Sequence, residues 1–378
     1  MIEKLTFSCL EGRDAFSAGT EPWNALLKSA DFGEQFPTYY SSPQWLEQWS
    51  GAMGADFDYY TFVAECEGEW QAVLPLMVRK TDMGKFKVTA LMLASWPELD
   101  NFEVPAVSQE ARERLIEFAL DYAQKNIRGW EVLLVREISI DGPTHQAFAK
   151  YFQGKEVDFR VEAKAQSPVL DLNEYNAREE KMTKKAAYRL RKFRRKADRA
   201  GEIERVFVLA TPENCMELYD ECADVESRSW KGREDLSAAF MLNDPRKSFY
   251  RKLWQAEAAR GQLAVALIRL DGLAIAEHWG MVSNGRFLSY HMCFDNDHRS
   301  LGLGPVLLDD MIEASPELGI NIFDSSRGAT DGSHILSKYN CPYRNQLLLT
   351  FYRPSVKGRF LKFAREVVKP ALAKKKED

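Results

Sequence analysis

The order helix, hairpin, strand, helix, strand is written twice along this chain, and no other feature limits its fold so tightly. In the first half a helical stretch at 42–53 precedes strand-like runs at 59–66 and 71–78 around a turn at Gly68. A third run at 87–93, a helical stretch at 108–125 and a strand at 131–137 follow. The second half has a helix at 246–260, strands at 263–270, 273–282 and 286–293, a helix from Pro305 to Ala314 and a strand at 320–326. Its two tight turns are Asp271-Gly272 and Asn284-Gly285. These dipeptides reach the positive φ values of a type I′ turn at low cost, so the strands they join run antiparallel. Each half therefore reads as an antiparallel meander, a helix and a returning strand. The expected fold class is α/β (α+β): two tandem domains, each a mainly antiparallel mixed sheet flanked by helices. The boundary falls near Gln166-Ser167-Pro168, giving domains of 1–165 and 166–378.

A chain of 378 residues, 45% hydrophobic and 28% charged, has the length and composition for two such cores. No run approaches the roughly 18 uninterrupted apolar residues of a membrane span. The start, MIEKLTFSCLEGRD, lacks the apolar core and small-residue cleavage site of a secretory signal. None of the six cysteines (Cys9, Cys66, Cys215, Cys222, Cys293, Cys341) pair at C-x-x-C spacing. They read as reduced thiols and not as metal ligands, and no metal is expected. These features point to a cytoplasmic location, with peripheral contact at the inner membrane face left open.

Charge is unevenly spread. The chain carries a net −5, yet residues 178–199 hold eleven Lys/Arg against three acids, a local +8. Met182, Ala186, Leu190, Phe193, Ala197 and Ala200 recur there at helical spacing. A second basic stretch, 353–376, repeats the pattern with Val356, Phe360, Phe363 and Val367. Either these are amphipathic helices packed on the body with solvated charges, or they meet a polyanion: an anionic glycan, a membrane surface or tRNA, but not DNA.

Between the strand ending at Cys293 and the helix from Pro305 stands Arg299-x-x-Gly302-x-Gly304. The first N–H groups of a helix lack internal partners and sit at the positive end of its dipole. Glycines there let backbone N–H groups approach an anion without a Cβ in the way, and arginine adds a planar charged donor. Pro305 costs nothing in a first turn, because its missing N–H would be unpaired anyway. The corresponding connection of the first half, ASWPELDNFEVPAVSQE, has no glycine, lysine or arginine and carries Glu98, Asp100 and Glu103. Only the second half is expected to hold an anion.

This motif, in its order of hairpin, strand, motif, helix and strand, resembles the acyl-CoA signature of GNAT-superfamily acyltransferases. Nearly the whole chain is similar to the tandem-GNAT group that includes the Fem-type peptidyltransferases. It is most similar there to the acetyltransferase-like proteins associated with cellulose and exopolysaccharide synthesis. The matching pieces are SSPQWLEQW, LPL at 74–76, YRLRKFRRKADRAGEI, ESRSWKG at 226–232, FDNDHRSLGLG and FDSSRGATDGSHILSKYN. In the last of these, Gly328 and Lys338 stand farther apart than the family's pattern.

The resemblance implies direct transfer from acetyl-CoA or another acyl-CoA to an amine or hydroxyl of a glycan, envelope precursor or small metabolite. The pyrophosphate would lie over Arg299, Leu301, Gly302, Leu303 and Gly304, and the pantetheine along Met292, Cys293 and Phe294. A base must take the acceptor's proton, because an amine of pKa about 10.4 is protonated at neutral pH. The candidates are Asp295, also readable as a capping residue, and His291. Tyr339 is the candidate acid, with Lys338 beside it. Glu226, Trp230, Lys231, His278 and Asp324 are candidates for the acceptor groove, and alternation along the strand puts only one of Glu277 and His278 on the substrate face. Two alternatives stand: a Fem-type enzyme using aminoacyl-tRNA, and a non-catalytic GNAT scaffold in polysaccharide biosynthesis.

Overall fold

The structure is a computed structural model that describes residues 4–32, 39–153, 159–233, 238–328 and 334–365. The chain divides into two compact units, Met1–Lys164 with Asn345–Asp378, and Ala165–Arg344.

The first unit begins with β1 (Thr6–Glu11), α1 (Asp14–Ala18), α2 (Thr20–Ser29) and α3 (Pro43–Met53). The meander β2 (Asp58–Cys66), β3 (Glu69–Met83) and β4 (Phe86–Leu93) follows, then α4 (Gln109–Asn126), β5 (Val132–Ser139) and α5 (Pro143–Phe152). Glu67 and Gly68 take φ of 51° and 87° in the β2–β3 turn, the pair of positive values a type I′ hairpin needs. The helix starts are written locally: Ser42 and Ser108 cap α3 and α4 by accepting from Trp45 and Ala111. The acidic connection between β4 and α4 is filled by its own chain. Glu98 is buried and accepts from Trp49 Nε1 at 2.9 Å, and Glu103 is buried and accepts from Thr144 N at 3.1 Å. Burial pushes the Glu103 carboxyl above its usual range, and the acids of this connection are taken up inside the unit.

Strand β6 (Phe159–Asp171) crosses the boundary at residue 165 into the second unit, which continues through α6 (Leu172–Ala177), α7 (Lys184–Ala197), β7 (Ile203–Leu209), α8 (Cys215–Arg228), α9 (Trp230–Arg233) and α10 (Arg246–Ala259). The meander β8 (Leu263–Leu270), β9 (Leu273–Ser283) and β10 (Arg286–Phe294) leads to α11 (Leu303–Ala314) and β11 (Ile322–Asp324). Its strand order is β6-β11-β10-β9-β8-β7. Both turn dipeptides adopt the expected conformation, with Asp271/Gly272 at φ 51°/81° and Asn284/Gly285 at 50°/71°. Helix α11 buries Leu303, Val306, Leu307, Met311 and Ile312 against Ala264, Ala266, Ile268, Phe287 and Phe323 of the sheet. Met182, Leu190 and Phe193 of the basic segment pack on this same core.

The chain ends with β12 (Tyr343–Tyr352) and α12 (Val356–Phe363). Strand β12 pairs antiparallel with β5 and completes the first sheet, in the order β1-β2-β3-β4-β5-β12. The sequence reading kept 166–378 together; the structure returns 345–378 to the first unit. A strand is specified by its own residues, but its neighbour is not. In α12 the expected inward face is reversed: Gly358 and Leu361 are buried, while Val356, Phe360 and Phe363 face solvent. Val367 and the rest of that basic stretch lie outside the described residues. Among the described residues, no helix is long and apolar enough to cross a membrane.

Candidate functional site

The site is built around the end of β10. Its pairing with β9 shifts between Ser289 and His291, leaving Tyr290 as a bulge. Its parallel pairing with β11 covers only Arg286–Leu288 against Ile322–Asp324. Among the described residues, Ser289–Phe294 thus extend beyond β11 without a parallel neighbour in the sheet, which opens one edge of β10. Met292 and Phe294 are half-buried, whereas His291 and Cys293 are buried. Burial pushes the Cys293 thiol well up, with Glu277 adding to the effect.

After β10 the chain turns on Asp295. This residue is 2% exposed; its carboxylate accepts from Asp297 N at 2.9 Å and from Arg228 Nε at 2.7 Å. Asp295 therefore caps the short 3₁₀ turn Asn296–Leu301, and its oxygens are engaged by the chain. Arg299 is exposed. Leu301 and Leu303 point into the core, so only their backbone can face a ligand.

The two glycines differ. Gly302 has φ +67°, and a Cβ there would lie 2.4 Å from the Phe193 ring of α7. Its conformation and its lack of side chain are both demanded by the fold. Gly304 is under no such demand: an added Cβ would meet only Ile335 and Met292 side-chain atoms at 3.6–3.9 Å. The expectation that both glycines exist to admit an anion holds no observation for Gly302; the space above it is taken by Phe193.

Beside the first turn of α11 lies a cavity of about 350 Å³ lined by α7 (Lys185, Arg189, Leu190, Phe193), Pro305, Ile335, Lys338 and Tyr339. Its walls are mostly apolar, with three cations at the rim. Tyr339 is buried and donates to Asp309 Oδ1 at 3.1 Å. Burial and Asp309 drive its phenol far above the ordinary range. Arg194 continues the chain of contacts, 2.8 Å from Asp309, 2.7 Å from Asp310 and 2.9 Å from Glu313. Arg194 thus fastens α7 to α11 and is not available to a polyanion, whereas Arg191, Lys192 and Arg195 are exposed.

Behind β10 stands a second set of groups. His291 Nε2 lies 3.0 Å from Glu226 Oε1 and 2.7 Å from Lys231 Nζ; Nδ1 lies 2.8 Å from Glu277 Oε1. Glu226 also accepts from Phe240 N at 2.8 Å and Met241 N at 2.7 Å. Burial alone would lower the His291 pKa, but Glu277 and Glu226 outweigh both burial and the neighbouring Lys231 and hold it above its ordinary value. Burial would raise Glu226, but His291 and the two backbone donors keep it below the usual range. Glu277, His291 and Cys293 also place their ligand atoms within 4.8 Å of one another, the spacing of a cation site.

The remaining candidates disperse. Glu277 and His278 take opposite faces of β9, as alternation requires: Glu277 meets His291, while His278 Nε2 sits 2.7 Å from Ser289 Oγ beside Phe287. Burial drops the His278 pKa to about 3. Asp324, 1% exposed, accepts from Arg286, from Arg344 at 2.6 and 2.9 Å, and from Ser326 N at 2.8 Å. The expected substrate role of Asp324 gives way to that of a buried anchor. Trp230 is 44% exposed and next to Lys231, so it remains open to an acceptor. Residues 329–333 of the aspartate-to-lysine stretch lie outside the described residues.

Residues 184–332, from α7 past β11, match the family described as acetyltransferase (GNAT) domain. The fold is that of GNAT acetyltransferases, and several solved structures are similar to it. One is the C-terminal domain of a putative lysylphosphatidylglycerol synthetase from Agrobacterium fabrum: 13% identity, TM-score 0.55, covering 89% of this chain and 92% of that one. Another is FemX, with 11% identity, TM-score 0.55 and coverage of 87% and 95%. A third is a tandem GNAT protein from the clavulanic acid biosynthesis pathway, with 13% identity, TM-score 0.50 and coverage of 93% and 100%. No curated protein matches the chain by sequence.

Proposed function

We propose that the second unit is an acyltransferase that takes an acyl group from acyl-CoA and delivers it directly to an amine or hydroxyl. The observation that carries this reading is the cavity at the first turn of α11, apolar in its walls and edged by Lys185, Arg189 and Lys338, beside the open edge of β10. That combination suits a donor with an apolar arm and phosphates. The pyrophosphate is assigned to the backbone from Gly302 to Gly304, with Arg299 at its edge, and the acyl-bearing arm to Met292–Phe294.

Lys231 and His291 fit the role of base. At 2.7 Å one nitrogen must offer a lone pair to the other, so the pair holds one proton fewer than two separate cations would. Glu226 and Glu277 supply the negative charge to balance a second proton. The acceptor's proton passes to this pair as the new C–N or C–O bond forms; the C–S bond breaks and the thiolate leaves. Backbone N–H groups of β10 are suited to the developing oxyanion. The raised Cys293 thiol argues against a covalent acyl-enzyme. Asp295 and Tyr339, both engaged by their own chain, shape the site in this reading. The exposed Trp230 faces the acceptor in this reading, and the resemblance of the sequence motifs to exopolysaccharide-associated acetyltransferase-like proteins favours a glycan or envelope precursor.

One observation favours a second reading. Phe193 covers Gly302, narrowing the cradle toward a donor without a pyrophosphate there, such as the aminoacyl-tRNA of Fem-type enzymes. The exposed Arg191, Lys192 and Arg195 would then meet its backbone. Thermal denaturation with acetyl-CoA, longer acyl-CoAs, CoA and tRNA separates the two. A ligand at one hundred times its Kd adds about 2.7 kcal/mol of stability. Stabilisation by acyl-CoA that is abolished by Gly304→Glu supports the first reading. Stabilisation by tRNA alone supports the second and overturns the first.

A further inference from the structure

Helix α12 turns an apolar stripe to solvent. Val356, Phe360 and Phe363 follow one another at i, i+4 and i+7 and are 90%, 55% and 55% exposed. The stripe is not a packing error of the helix, because the opposite face is seated. Leu361 is 2% exposed, and a Cβ on Gly358 would lie 2.1 Å from the Arg353 carbonyl. The stripe also continues beyond the helix. Phe86, 38% exposed at the tip of the β3–β4 hairpin, meets Phe360 edge-on at 6.0 Å between ring centroids.

The charges around this patch are mostly positive. Arg359 stands in solvent beside the stripe, and Lys85 and Lys87 flank Phe86 on the hairpin. From Arg353 to Lys376 the sequence holds nine Lys/Arg and one acid, Glu366, although the whole chain is net −5. Lys357, Lys87 and Arg365 have the partners Glu131, Asp82 and Glu162, while Lys85 and Arg359 are exposed. Aromatic side chains on one face with cations at its margin match a bilayer interface, where rings enter the acyl boundary and cations meet acidic head groups. A protein partner of ordinary surface composition explains the aromatic stripe but not the excess of lysine and arginine at its margin.

We propose that α12, with the β3–β4 hairpin tip, docks the first unit on an anionic lipid surface. The proposal is independent of the donor assigned to the second unit. The surface is distinct from α7, whose apolar face is already packed.

The test is co-sedimentation of the full chain with vesicles of phosphatidylcholine alone and of phosphatidylcholine mixed with phosphatidylglycerol. The parent should bind the mixed vesicles at low salt, and binding should fall as salt is raised. Phe360→Glu with Phe363→Glu should lower partition by about tenfold or more. Val356→Glu, at a position too exposed to matter for folding, should lower it in the same direction and keeps the test decisive if the double variant misfolds. Arg191→Gln with Lys192→Gln on α7 should bind like the parent. Failure of the parent to bind mixed vesicles overturns the proposal, as does unchanged binding of Val356→Glu. If the stripe variants instead abolish self-association in sedimentation velocity, the patch belongs to a second copy of the chain and the lipid assignment falls.

Discussion

Acidification should cost this protein stability through one buried histidine. His278 is 3% exposed, contacts Ser289 Oγ at 2.7 Å and lies against the Phe287 ring. Burial, with the positive neighbours His334, His291 and Lys231, drops its pKa from 6.5 to about 3. The folded state therefore holds it neutral, while the unfolded chain takes up a proton below pH 6.5. Its stabilising contribution is present above that value and is lost progressively as pH falls toward about 3. pH 5 lies about 1.5 pH units below the unfolded pKa, and at about 1.4 kcal/mol per unit the loss from this one residue is about 2 kcal/mol relative to pH 7. The assay is urea denaturation of the parent and of His278→Asn at both pH values. Groups not coupled to His278 move the two proteins alike, so the difference between them reports on His278 and the neighbours coupled to it. The variant should lose about 2 kcal/mol less than the parent on going to pH 5. Equal losses would refute the reasoning and mean that His278 is hydrated or already charged in the folded state.

Glu226→Ala should destabilise by about 3–5 kcal/mol in denaturant melts, because it strands the Phe240 and Met241 N–H groups and leaves His291 without one of its carboxylates. Glu226→Gln should cost less and lower the His291 pKa, read by NMR titration. Gly302→Ala should cost about 1 kcal/mol or more from its positive φ and the Phe193 clash, part of it recovered in a Phe193→Ala background; Gly304→Ala should lie within about 0.5 kcal/mol of the parent. Lys231→Met removes a cation that holds the His291 pKa down, so acyl transfer should slow and the rising limb of its pH–rate profile should move to higher pH; an unmoved profile excludes His291 from proton transfer.

Local signals in the sequence were followed closely by the fold. Asp271-Gly272 and Asn284-Gly285 carry their hairpin conformation in their own chemistry, and the Arg299-to-Gly304 segment does join a strand to a helix, with the helix opening at Leu303 just before Pro305. Long-range facts were not legible. Nothing in YRNQLLLTFY says that this strand belongs beside β5, because pairing partners are chosen by the whole sheet. Nothing near Gly302 announces that Phe193, more than a hundred residues earlier, lies on it. The polar set behind β10 was visible only as separate residues: Glu226, Lys231, Glu277 and His291 come from four elements, and only tertiary packing turns them into one charge-balanced group. Periodicity found the apolar stripe of α12 but assigned it the wrong side, since a helical pattern fixes which residues share a face and not what that face meets.

The return of β12 to the first sheet has a consequence for synthesis. A chain made from its N-terminus exposes the edge of β5 early, and the strand that covers it emerges only after the second unit has been made. The second unit, continuous from 165 to 344, can close first; the first must wait with an open strand edge, the feature most prone to pair with another chain. Its own β1–β5 meander holds together by local contacts in the meantime, so the interval in which nascent chains are vulnerable to association is set by the time needed to translate those intervening 180 residues.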